Sequence, residues 1–185
     1  MPMLQVNLLN GYSPDIKHRL MRALTCVVRG ITQARPDAIT VWIHEVGSDQ
    51  YSRGGEPRQP GVGAPDAAAV VSDYLAAMEA RDLQKAETFL AADFVMSFPG
   101  SGELTSLAQL VDWARGRYRY VQKTIAATDV AYGMDTTVVT THGTLAGQWP
   151  DGVAFSDVRF IDRFELQAGL LVRQDVWNDL ANARE

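Results

Sequence analysis

The sequence predicts an α+β protein in two domains, and three features carry that prediction. The stretch Gly54 to Pro65 holds four Gly and three Pro in twelve residues and interrupts the hydrophobic patterning, as a linker does. Ahead of it the order is strand, helix, strand. Beyond it helical spacing comes first and period-two patterning follows, the order expected of helices packed on a meandering sheet. The predicted boundaries are 1–56 for the first domain, 57–65 for the linker and 66–185 for the second domain.

The first strand begins almost at the amino terminus, where Leu4, Val6 and Leu8 alternate with Gln5 and Asn7. Asn10 and Gly11 mark a turn. Ser13 can then cap a helix with Pro14 at its first position, and Ile16, Leu20, Leu24, Val27, Val28 and Ile31 form its apolar face, so the helix is predicted to run to about Gln33. Residues 39–46, ITVWIHEV, are rich in β-branched and aromatic side chains and predict a second strand, parallel to the first through a right-handed crossover. Past the linker, Val70, Val71, Tyr74, Leu75 and Met78 repeat at helical spacing, and Leu83, Ala86, Phe89 and Leu90 predict a second short helix. A third helix is predicted from Thr105 or Ser106, with Leu107, Leu110, Val111 and Ala114 on one face. Strands are predicted at 122–131, 136–147, 158–166 and 170–179.

Composition narrows the function. The 185 residues are 46% hydrophobic and 21% charged, the range of ordinary globular domains. No window approaches eighteen consecutive apolar residues and no basic-then-apolar leader opens the chain, so a cytoplasmic protein that neither spans nor binds a membrane is expected. Up to residue 60 there are 7 basic and 5 acidic residues, and beyond it 10 and 17, giving +2 and −7. That distribution argues against nucleic acid as a partner, and Arg115, Arg117 and Arg119 are expected to form a solvated helix face. The single cysteine, Cys26, is expected to serve packing, and the few scattered Cys and His predict no metal site.

Pro2 is the first candidate for chemistry. Removal of Met1 would leave Pro2 as a terminal secondary amine, which can act as a general base near neutral pH if burial or neighbouring cations disfavour its charged form. The stretch P-M-L-Q-V-N-L-L-N-G-Y-S-P-D-I-K, the strand at 39–46 and the closing Y-S-R-G-G-E resemble 4-oxalocrotonate tautomerase subunits across residues 2–56. The resemblance implies a cofactor-free keto-enol tautomerase with Pro2 carrying the proton. Where that family places two carboxylate-binding arginines, this chain has Tyr12 and Thr40, neither of which reproduces a bidentate guanidinium, so a neutral substrate is expected. Tyr51 stands at an aromatic wall position, and Arg53 could restore one positive charge. A unit of about 60 residues buries little surface alone, so a homo-oligomer, trimer or hexamer, is expected.

Asp162 is the second candidate. In V-R-F-I-D-R-F-E the strand period sets Val158, Phe160, Asp162 and Phe164 on one side. A carboxyl among aromatics is costly unless paired, and desolvation raises its pKa, which suits a proton donor or a tuned base; a structural aspartate paired with an arginine is the alternative. The motifs V-V-S-D-Y-L-A-A-M, F-L-A-A-D-F-V-M-S-F-P-G and F-I-D-R-F resemble SnoaL-like polyketide cyclases and ketosteroid isomerases across residues 66–182. The resemblance implies a cone-shaped α+β barrel, three helices on a curved mixed sheet. It also implies that Tyr74 and a protonated Asp162 donate hydrogen bonds to an enolate oxygen. At the position of the family's second aspartate, the base, this chain has Phe98, and Asp179 in V-W-N-D is the candidate replacement. Trp113, Trp149 and Trp177 would suit an apolar, ring-bearing ligand, while His142 has no recognisable partner. Two readings of the whole follow. One is a cofactor-free isomerase acting on an apolar carbonyl metabolite, of the kind found in polyketide or aromatic metabolism. The other is a non-catalytic SnoaL-like ligand-binding module, with the tautomerase-like unit serving oligomerisation.

Overall fold

The computed structural model describes residues 1–184. The chain divides into two compact units, Met1–Ala64 and Pro65–Glu185.

In the first unit β1 (Met3–Leu9) and β2 (Thr40–Val46) pair in parallel, from Met3 against Thr40 to Leu9 against Val46. Between them α1 (Pro14–Thr32) starts where Ser13 accepts from the Ile16 amide, with Pro14 supplying a helical φ and no orphan N–H. It closes at Gln33 in the left-handed conformation, φ 58°. The predicted alternation holds in β1, where Leu4, Val6 and Leu8 are partly covered and Met3, Gln5 and Asn7 are exposed. One prediction for α1 does not hold. Val27 and Ile31 are 55% and 79% exposed, because a two-stranded sheet is too narrow to cover the helix's whole apolar stripe. Cys26 is exposed too, and its expected packing role is corrected: it lies off the stripe marked by Leu20 and Leu24. The Gly/Pro stretch lies along this unit, with the Arg19 guanidinium donating to the Ala64 carbonyl at 2.7 Å, and it opens on a small hairpin of β3 (Ser52–Arg53) and β4 (Glu56–Pro57).

The second unit opens with α2 (Ala67–Glu79), capped by Asp66, and α3 (Leu83–Glu87), capped by Asp82. Leu90 is not helical as predicted: it starts β5 (Leu90–Phe98), whose alternation buries Phe94 and Met96. After β6 (Gly102–Leu104) comes α4 (Leu107–Ala114), capped by Ser106. Because α4 ends at Ala114, the three arginines do not form a helix face. Arg117 instead covers the Trp113 ring, and Arg119 reaches Gln148.

Four long strands follow: β7 (Tyr120–Tyr132), β8 (Thr137–Gln148), β9 (Ala154–Gln167) and β10 (Leu170–Asn178). The sheet order is β6-β5-β10-β9-β8-β7, with β5 and β10 parallel and every other pair antiparallel, a curved mixed sheet with helices. Part of that curvature is visible at Gly143. A Cβ there would sit 1.9 Å from the Thr124 carbonyl, opposite the register shift between Ile125 and Ala127, so only glycine lets β7 press so close.

The buried apolar residues of this unit form two clusters. One contains Val71, Tyr74, Met96 and Phe164, and the other Leu145, Trp149, Val158 and Phe160. On β9 Phe160 belongs to one cluster and Phe164 to the other, and Asp162 lies between them.

Candidate active site

Strand alternation predicts that Asp162 faces inward, and its side chain is fully buried. Its partner comes from the sheet's far edge. Lys123 of β7 donates from Nζ to Asp162 Oδ2, with its ammonium 4.7 Å from the centre of the Phe160 ring. The expected donor role is not what this bond shows, since Asp162 accepts in it, and the partner is a lysine rather than the arginine of the alternative reading. Burial pushes the Asp162 carboxyl up from its ordinary value, and the charge and hydrogen bond of Lys123 oppose that rise. The other oxygen, Oδ1, is buried and has no hydrogen-bond partner among the described residues. The same holds for Oγ1 of Thr141, which is 1% exposed and lies directly across from Asp162 in the β8–β9 ladder.

Tyr74 of α2 is fully buried, with its ring edge-on to Phe164 at 6.1 Å. Its hydroxyl donates to Gln174 Oε1 of β10 at 3.1 Å, not to Asp162. Burial is the main cause that raises its pKa, and the Asp162 charge adds to it, so the phenol stays protonated and within electrostatic reach of the carboxylate. Lys123, Thr141 and Gln174 were not singled out from the sequence. Lys123 shares the strand parity of half-buried Val121, which is a signal for an inward lysine but not for its partner 39 residues away.

Phe98, Trp177 and Asp179 gather at a different place, a pocket of about 420 Å³ lined by the ends of β5 and β10. Trp113 stands behind Phe98, ring centres 5.4 Å apart, and its buried indole N–H has no partner among the described residues. Asp179 accepts from the Arg159 guanidinium at 2.7 Å. Trp149 is not a ligand wall as expected. It is 8% exposed and packs tilted against Phe155, ring centres 4.5 Å apart, within the core. His142 is exposed.

In the first unit the Thr40 amide donates to the Pro2 carbonyl at 3.0 Å, so these two candidates are neighbours. Tyr12 follows the opposite end of β1, and seven residues at about 3.3 Å each put roughly 20 Å between it and Pro2. Tyr51 and Arg53 follow the end of β2 and are exposed. A single copy brings Thr40 to Pro2 and leaves Tyr12 away from it.

Comparison with known proteins agrees with this division. Residues 71–174 match the SnoaL-like domain family and residues 2–59 match the tautomerase enzyme family. Among solved structures, an NTF2-like protein of Burkholderia thailandensis is similar at 16% identity and TM-score 0.51, covering 65% of this chain and 98% of its own. An LEH-like epoxide hydrolase of M. tuberculosis is similar at 20% identity and TM-score 0.50, covering 64% and 86%. At these identities the likeness concerns the fold. A 4-oxalocrotonate tautomerase isozyme of Methylibium petroleiphilum shares 32% identity over 30% of this chain and 88% of its own, with TM-score 0.30. No curated protein sequence matches the chain. With more than half of its residues in the matched region, the chain belongs to the SnoaL-like family, and it carries a tautomerase domain ahead of that one.

Proposed function

We propose that the chain is a cofactor-independent isomerase that moves protons beside the carbonyl of an apolar metabolite, with Pro2 as general base in the first unit and Asp162 as the acid–base group of the second. The observation that carries this reading is Asp162: a fully buried carboxylate between two phenylalanines, joined to a lysine and near a protonated phenol. Such a group is expensive to bury and suits proton transfer more than packing. In the first unit, Tyr12 and Thr40 in place of carboxylate-binding arginines favour a neutral substrate. The 20 Å between Pro2 and Tyr12 favours a site assembled between copies in a trimer or hexamer.

The test of the Pro2 role is ketonisation of an aryl pyruvate enol by protein whose intact mass shows Met1 removed. While Met1 remains, the Pro2 nitrogen is an amide without a basic lone pair. Pro2→Ala should abolish the rate due to the first unit. An unchanged rate, with Met1 absent from both proteins, refutes that role. Phe98 favours a second reading, because a phenylalanine where the resemblance implies a base suits a pocket that holds a ligand without chemistry.

A further inference from the structure

Three arginines of the second unit belong neither to the Asp162 pair nor to any other ion pair. Beyond residue 60 the chain has 17 acidic residues against 10 basic ones, and Arg115, Arg159, Arg163 and Arg173 all sit on carboxylates. Arg81, Arg117 and Arg119 have no carboxylate partner among the described residues, and a neutral group fixes each of them instead. Gly116, at φ 82°, and the bond from the Arg117 amide to the Ala114 carbonyl, 3.0 Å, turn the chain back after α4 and set the Arg117 guanidinium 4.1 Å from the centre of the Trp113 ring. Arg119 donates to Gln148 Oε1 at 3.4 Å, and the Gln148 amide in turn donates to the Gly152 carbonyl at 2.9 Å, which holds it in place. Arg81, just past the end of α2, donates to the Arg119 carbonyl at 3.1 Å. Between them stands Tyr118, whose ring packs on the cluster of Leu145, Trp149 and Phe160 and whose phenol feels the charges of both Arg117 and Arg81.

We propose that Arg81, Arg117 and Arg119 form a binding site for the oxyanion group, carboxylate or phosphate, of a small ligand. A guanidinium presents its N–H donors in a planar fork that matches the oxygens of such a group, and the hydrogen bonds just described leave most of those donors free. Like charges gathered without a counter-ion repel one another, so the cluster does nothing for the stability of the fold that a neutral side chain would not do better. The neutral anchors fix the guanidinium groups before anything binds, which removes part of the ordering cost of binding. The surroundings set the size of the ligand. The excess of acidic residues over the rest of the unit repels a polyanion, whereas a small anion responds to the nearest charges, within a screening length of about 8 Å. The site goes beyond the isomerase reading, and neither depends on the other.

The experiment titrates the full chain with inorganic phosphate and, separately, with benzoate, by isothermal calorimetry in chloride buffer at constant ionic strength, so that general screening does not change along the titration. Saturable binding with a dissociation constant in the millimolar range or tighter is expected, and the anion that binds more tightly assigns the ligand as a phosphate ester or a carboxylate. Arg81→Gln and Arg117→Gln should each weaken that binding by about fivefold, the upper end for an exposed charge pair, while Arg35→Gln, the same change of charge in the first unit, should leave it as it is. The melting temperature separates a binding role from a structural one. Phosphate should raise it in the parent by mass action and raise it less in the two variants. No saturable binding of either anion up to tens of millimolar overturns the site, as does binding that both variants keep at the parent's affinity. Neither result touches the Pro2 or Asp162 roles, which are read from ketonisation rates.

Discussion

Removing one member of the Lys123–Asp162 pair should hurt stability far more than removing both, and the two single variants should differ. Asp162 is fully buried, whereas the Lys123 side chain keeps 24% of its surface. Lys123→Met strands a carboxylate with no route to solvent, and breaking a buried pair in this way costs about 3–5 kcal/mol. Asp162→Leu leaves an ammonium that can turn toward water on its flexible stem, so its cost should stay near 1 kcal/mol, the scale of an exposed pair. Replacing both with apolar groups of similar size should be neutral or stabilising by about 1–4 kcal/mol. The pH dependence has a definite sign. The folded pKa of Asp162 is raised above its ordinary 3.8. The folded state therefore binds the proton more tightly than the unfolded chain, and this group's contribution is fullest below that ordinary value and falls as pH rises through the raised one. In Lys123→Met the opposing charge is gone, so the penalty should grow from acid to neutral pH. Urea unfolding followed by tryptophan fluorescence measures this in a Trp42→Phe background, which leaves Trp113, Trp149 and Trp177 of the second unit as reporters. Lys123→Met as stable as the parent at neutral pH, or a double variant weaker than Lys123→Met, would refute the pairing.

Tyr74→Phe leaves the ring edge against Phe164 but strips the donor from Gln174 Oε1, and a buried acceptor left without its partner should lower stability by about 1–3 kcal/mol by the same urea assay. No side chain of the first unit is fully buried, and Met3 and Ile31 are left 61% and 79% exposed, so light scattering at micromolar concentration should give a mass of at least three chains; a monomeric mass counts against the shared Pro2 site.

The local order of this chain is legible in its residues because local physics decides it. Ser13 and Pro14 start α1 wherever the chain goes afterwards, since capping needs only amides three residues on. The two-residue period of β9 puts Asp162 beside Phe160 and Phe164 on the buried side, and no distant contact is needed to know it. The sequence misleads where two periods compete. Phe89 and Leu90 continue the helical spacing of Leu83 and Ala86, yet Phe94 and Met96 alternate, and pairing of β5 with β10 and β6 settles the segment as strand. Trp149 fits a ligand wall or a core by composition alone, and burial against Phe155 makes it core. What tertiary structure alone decides is partnership. Lys123 and Asp162 lie 39 residues apart on strands separated by β8, Tyr74 reaches Gln174 across 100 residues, and Phe98 meets Asp179 at one pocket. Side-chain alternation says which residues turn inward. Which of them meet depends on the register of the long strands and the bend at Gly143, and those follow from the packing of the whole sheet.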